Sequence, residues 1–83
     1  MQLSPNPSNG QFVLSGTLHG AYDDLQLTVY DSLGKEVANQ NLLFTQNEIN
    51  QVFDFSSLLS QGMYFAKLSA GQEVVQTFKV VVN

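Results

Sequence analysis

The sequence predicts an all-β fold, an immunoglobulin-like β-sandwich of six to seven short, mostly antiparallel strands. Three observations predict it. Apolar and polar residues alternate with a period of two through most of the chain, the pattern of strands wet on one face. No window of helical length keeps an apolar stripe at i, i+3, i+4 and i+7. Turn-forming residues break the alternation at the spacing of short sandwich strands rather than those of a barrel. The chain has no Cys and no Trp, so the resemblance to antibody domains is one of architecture alone.

The elements follow in order. Pro5-Asn6-Pro7-Ser8-Asn9-Gly10 holds both prolines of the chain and stands before the first expected strand, Phe12-Val13-Leu14. Proline fixes φ and keeps its neighbours extended, and Asn9-Gly10 can take positive φ to turn the chain into that strand. Leu25, Leu27 and Val29 alternate with Gln26, Thr28 and Tyr30 in a second strand, whose second set should be wet. Asp31-Ser32-Leu33-Gly34 has the Asp-first, Gly-last order of a type I turn. A third strand is expected from Lys35 towards Leu43, and a fourth from Val52 to Phe55, with Val52 and Asp54 facing away from Phe53 and Phe55. Ser56-Ser57-Leu58-Leu59 ahead of Gln61-Gly62 reads as a tight turn between sheets. Tyr64, Ala66 and Leu68 oppose Met63, Phe65 and Lys67 in a fifth strand. Ala70-Gly71-Gln72 then reads as a three-residue hairpin loop. The last strand, Glu73 to Val82, should set Val74, Phe78, Val80 and Val82 against Val75, Thr77, Lys79 and Val81.

Composition limits the function. With 83 residues and 43% hydrophobic content, residues 1–83 read as a single small domain that buries roughly 60–65% of its unfolded surface. Formal net charge is −4, from seven acidic residues against Lys35, Lys67 and Lys79, with no arginine. That balance argues against nucleic-acid binding. The longest apolar runs, such as Val80-Val81-Val82, fall far short of the roughly 20 residues of a membrane span. Nothing at the N-terminus has the order of a signal peptide. Without cysteine, neither a disulfide nor a thiolate-held zinc is expected to staple the fold.

Residues able to carry chemistry are few and isolated. His19 is the single histidine and stands beside Gly20 with no carboxylate or serine partner in view, so a loop position is favoured over a site. Asp23 and Asp24 offer oxygens to a hard cation, but calcium needs six to eight and the pattern of a calcium loop is missing. Tyr22, Tyr30 and Tyr64 could form an aromatic platform for sugars, yet alternation sends most aromatic rings to the core. No nucleophile is spaced with a base, and no glycine loop suits a phosphate. The chain is expected to have no catalytic residue, no cofactor and no metal.

The turns, taken together, resemble one family. Pro5-Asn6-Pro7-Ser8-Asn9-Gly10 before an apolar strand, Val29-Tyr30-Asp31-Ser32-Leu33-Gly34-Lys35-Glu36-Val37, Phe55-Ser56-Ser57-Leu58, Gly62-Met63-Tyr64-Phe65 and Lys79 in the terminal valine run follow the order of the type A C-terminal sorting domain of the type IX secretion system, also called the Por system. Each block alone is weak, but together they cover nearly the whole chain. Ser4, where a bulkier residue often precedes the first proline, and Asn83, where a basic residue is frequent, depart from the pattern.

The resemblance implies a C-terminal address label on a longer secreted cargo. It implies passage through the periplasm and recognition by the type IX outer-membrane translocon. A sortase-like cysteine protease is then expected to remove the domain and leave cargo secreted or at the cell surface of a Gram-negative cell. Carried over residue by residue, the family blocks fall on Pro5, Pro7 and Gly10, on Asp31 and Gly34, and on Gly62, Tyr64 and Lys79. Lys79 has two readings, a charge that guards an edge strand against aggregation and a contact for the translocon. From another class, an accessory sugar-binding or fibronectin-like module would use exposed Tyr22 or Tyr30. Self-association through the edge of the terminal strand is a further expectation.

Overall fold

The computed structural model describes residues 2–4, 9–18, 22, 24–42 and 48–83. They form seven strands: β1 (Gln2–Ser4), β2 (Gln11–Thr17), β3 (Gln26–Asp31), β4 (Glu36–Asn41), β5 (Glu48–Asp54), β6 (Gly62–Ala70) and β7 (Glu73–Val82). One sheet has the order β1-β2-β5 and the other β4-β3-β6-β7, and every pairing is antiparallel. The chain changes sheet between β2 and β3, between β4 and β5, and between β5 and β6. This three-plus-four sandwich has the Greek-key connectivity of the immunoglobulin class.

Alternation becomes a core because one face of each sheet closes on the other. Phe12, Leu14, Ile49 and Phe53 from the smaller sheet meet Leu27, Val29, Tyr64, Ala66, Leu68, Val80 and Val82 from the larger, all of them buried. Phe53 and Phe55 stack in a tilted pair with ring centroids 5.8 Å apart. On β5, Val52 and Asp54 are exposed while Phe53 is buried, as alternation predicts.

Six details differ from the sequence reading, each for a local reason. The chain gains β1, which pairs Gln2, Leu3 and Ser4 with Ser15, Leu14 and Val13. The proline segment therefore lies between the first and second strands, and its residues 5–8 fall outside those described. β4 begins at Glu36 because Lys35 still belongs to the turn, and β5 begins four residues early at Glu48, where Ile49 is buried. Thr28, expected to be wet, is buried, since its strand is central and Asn39 and Lys67 flank it in register. The β6–β7 loop is the two residues Gly71 and Gln72, because Ala70 pairs with Glu73. A bulge opposite Leu68 and Ser69 reverses the phase of β7, so that Val74 is exposed and Val75 packs inward.

Strand direction separates the ends of the described chain. Gln2 lies opposite Ser15, towards the pole where β2 ends, whereas Val82 lies opposite Gly62 at the pole where β6 begins. The longest dimension is 35 Å.

Candidate functional site

The motif residues are assembled by turns, beginning at the entry to β2. Gly10 is buried with φ of +101°, a conformation costly for any side chain. A Cβ there would sit 2.7 Å from the Ser56 Cα. The close approach lets the Phe55 amide donate to the Gly10 carbonyl over 2.9 Å, while Asn9 Oδ1 accepts from the Gln11 amide over 3.2 Å. Gly10 thus packs directly on the turn at residues 56–58, where the amides of Leu58 and Leu59 both donate to the Phe55 carbonyl. Two separate sequence blocks are one structural unit.

Asp54 closes the same unit from the solvent side. Its Oδ1 accepts from the Ser56 hydroxyl over 2.6 Å and the Ser56 amide over 3.1 Å, and Gln11 Nε2 approaches Oδ2 at 3.4 Å. These bonds favour the charged form, the Ser56 hydroxyl most strongly, and hold the carboxyl below its usual value of 3.8.

Asp31 organises the β3–β4 connection. Its Oδ1 accepts from the amides of Leu33 and Lys35, each over 2.9 Å. The backbone adds Gly34 N–H to the Asp31 carbonyl over 3.0 Å and Asp31 N–H to the Lys35 carbonyl over 2.9 Å. Gly34 takes φ of +88° with nothing within 4 Å of a notional Cβ, so its requirement is conformational alone. At the start of β6, Gly62 pairs with Val82. The buried Tyr64 donates its hydroxyl to the Ser60 carbonyl over 2.7 Å and ties β6 to the loop before it. A tyrosine near the start of the sixth strand that bonds back upstream is a known fastening of immunoglobulin-like sandwiches.

Lys79 is exposed on β7, opposite Phe65. β7 is an edge strand, so both readings of Lys79 keep their structural premise. Pro5, Pro7, His19 and Asp23 lie outside the described residues. Asp24 is exposed, and Tyr22 and Tyr30 are half-buried rather than open platforms. The Lys67 ammonium stands 5.1 Å from the Tyr30 ring centroid and covers the face a sugar would use.

The motif residues do not converge on one pocket. Asp31 and Gly34 help line a groove of about 500 Å3 together with Tyr30, Leu33, Phe65, Lys67 and Thr77, but Gly10 and Tyr64 serve other turns. Among the described residues no group of three His, Cys, Asp or Glu is placed to hold a metal ion. Among the described residues no helix is long and apolar enough to cross a membrane. Sequence reading missed the roles of Ser56, whose hydroxyl and amide hold Asp54 and whose backbone meets Gly10, and of Ser60, whose carbonyl receives the Tyr64 hydroxyl. It also missed the meeting of Tyr30 with Lys67, whose signal was the shared outward parity of the two strands.

A family model described as the secretion system C-terminal sorting domain matches residues 2–83. No curated protein and no solved structure matches the chain. Domains of this family are sorting signals without catalysis, interact with the Por secretion machinery and belong to secreted or cell-surface cargo. With the match spanning both sheets and every described turn, the chain belongs to the secretion system C-terminal sorting domain family of the Por, or type IX, system.

Proposed function

We propose that residues 1–83 act as one type A sorting module at the C-terminus of a longer cargo. The module folds in the periplasm, is read by the outer-membrane translocon and is then removed by a sortase-like cysteine protease. The observation that carries this reading is the family match over residues 2–83. The order of blocks at Gly10, Asp31 to Gly34, Gly62 to Tyr64 and Lys79 supports the type A assignment. Support for a signal read in folded form comes from Gly10, Asp31, Gly34 and Tyr64, all of which hold turns of the sandwich.

Fusion of residues 2–83 to a periplasm-targeted fluorescent reporter, in a host that carries the system, tests this function. The expected result is reporter outside the cell, with a mass showing loss of the domain. Retention in the periplasm at the level of reporter alone would refute sorting, and export at full mass would refute cleavage. Lys79→Ala should cut export by more than half while Tm falls by less than about 3 °C, since exposed substitutions stay within roughly 0.5 kcal/mol. Proportional loss of export and Tm would mean that Lys79 serves stability. The edge position of β7 also supports self-association; a concentration-independent monomer mass in light scattering would exclude it.

A further inference from the structure

The outer face of the larger sheet separates charge and apolar surface in a way the core does not require. Pairing aligns Glu36, Tyr30, Phe65 and Lys79 in one row, and Asn39, Thr28, Lys67 and Thr77 in the next. Phe65 and Met63 are 37% and 42% exposed, and Leu33, in the turn at the rim, is 92% exposed. The groove of about 500 Å3 lies between that turn and the sheet, with Tyr30, Phe65, Lys67 and Thr77 along it. Exposed apolar residues gathered around a groove mark a binding surface more often than scattered ones do.

Charge selects the occupant. The chain has three cationic side chains against seven acidic ones, yet Lys67 and Lys79 stand on this face and Lys35 ends the turn at its rim. Among the described residues two carboxylates stand nearby, Asp31, which accepts two turn amides, and Glu36, which accepts from Asn39 Nδ2 over 2.9 Å, so lysines outnumber acids on this face alone. Asp24 and Glu73 lie at the opposite pole, beside Gly71 and Ala70, and Asp54 is on the other sheet. Three lysines and no arginine give a phosphate backbone too few contacts for nucleic acid. Lys67 over Tyr30 blocks sugar stacking. An apolar floor flanked by lysines instead matches a segment that alternates carboxylates with apolar side chains.

We propose that this face docks an extended, acidic peptide segment of a protein partner, with apolar side chains in the groove and carboxylates on Lys67 and Lys79. For the identity of that partner as secretion machinery, the inference rests on the function proposed above; for binding itself, it does not. No main-chain ladder is available on a sheet face, so the contact is weak and fast, suited to a label that must be released.

The probe is a synthetic nine-residue peptide alternating Val and Glu, titrated into the 15N-labelled domain at low salt and followed by NMR. Shift changes are expected at Leu33, Phe65, Lys67 and Thr77. The double variant Lys67→Gln/Lys79→Gln should weaken binding about tenfold, from two exposed charge pairs of up to roughly 1 kcal/mol each. Arg at both positions should restore it, and a Val-Lys peptide should not bind. Unchanged spectra outside the face report that the variants remain folded. Absence of binding at millimolar peptide, shifts centred on the β7 edge or the smaller sheet, or equal affinity of the Gln variant would each overturn the proposal. So would shifts that depend on protein concentration alone, which would identify a second copy as the occupant. In the secretion host, export of the Lys67→Glu/Lys79→Glu fusion equal to wild type would overturn the partner assignment with sorting intact. If the wild-type fusion itself is retained, the sorting function fails and the titration alone decides the face.

Discussion

Replacing Gly10 by alanine tests whether the first family block is a folding device. Two costs add in the structure. Positive φ at +101° costs an L-residue about 1–2 kcal/mol. The new Cβ would also lie 2.7 Å from the Ser56 Cα, a backbone atom that moves only with its turn, and overpacking of this kind costs about 1–3 kcal/mol. A central value is roughly 3 kcal/mol, a large share of the ~4–12 kcal/mol typical of a domain this long. At about 6 °C per kcal/mol, Tm should fall by roughly 18 °C. Gly34→Ala is the control. It has φ of +88° but open space, so the loss is close to 1 kcal/mol, or about 6 °C. Alanine lowers unfolded-chain entropy equally at both positions, so the difference isolates the contact with Ser56. Thermal unfolding by circular dichroism measures both. A Gly10→Ala loss no greater than that of Gly34→Ala would refute the close-packing argument.

Other expectations follow from the same geometry. Tyr64→Phe removes the bond to the Ser60 carbonyl and should cost about 1 kcal/mol, lowering Tm by roughly 4–8 °C; an unchanged Tm would show that the fastening is idle. Asp31→Ala removes two amide partners and should cost about 1–2 kcal/mol, with faster hydrogen exchange at Leu33 and Lys35; unchanged exchange at both amides would refute the turn assignment. The lowered Asp54 pKa, caused first by the Ser56 hydroxyl, gives a stabilisation that is present above pH 4 and lost as pH falls through the folded value. The stability gap between wild type and Asp54→Asn should therefore narrow as pH is lowered from 7 to 2.5 in denaturation experiments, and a constant gap would remove Asp54 from the acid response.

What could be read in advance depended on how local each signal is. The faces of β6 and the turn at Asp31 were legible because alternation and the Asp-to-Gly spacing act within a few residues. β1 was not, since Gln2-Leu3-Ser4 is too short to show a period. The first half of β5 reads as polar because Ile49 is its single apolar residue before Val52. The phase of Val74 and Val75 depends on a bulge that adjacent valines do not announce. In the sequence Gly10 reads as a turn residue able to take positive φ, which it does, but a second reason for glycine is Ser56, brought there by pairing between sequence-distant strands. The motif was legible as a signature, whereas its physical cause required the register.

The opposite poles of Gln2 and Val82 have a mechanical consequence. Tension applied between them runs along the strands, so the long ladder joining β6 and β7 is loaded in shear, many bonds at once, and resists rupture. The β1 ladder, only three residues long, is the weak link in the same line. Under pull it should yield first and pay out a short tether while both sheets hold. A folded label built this way can be tugged without being erased.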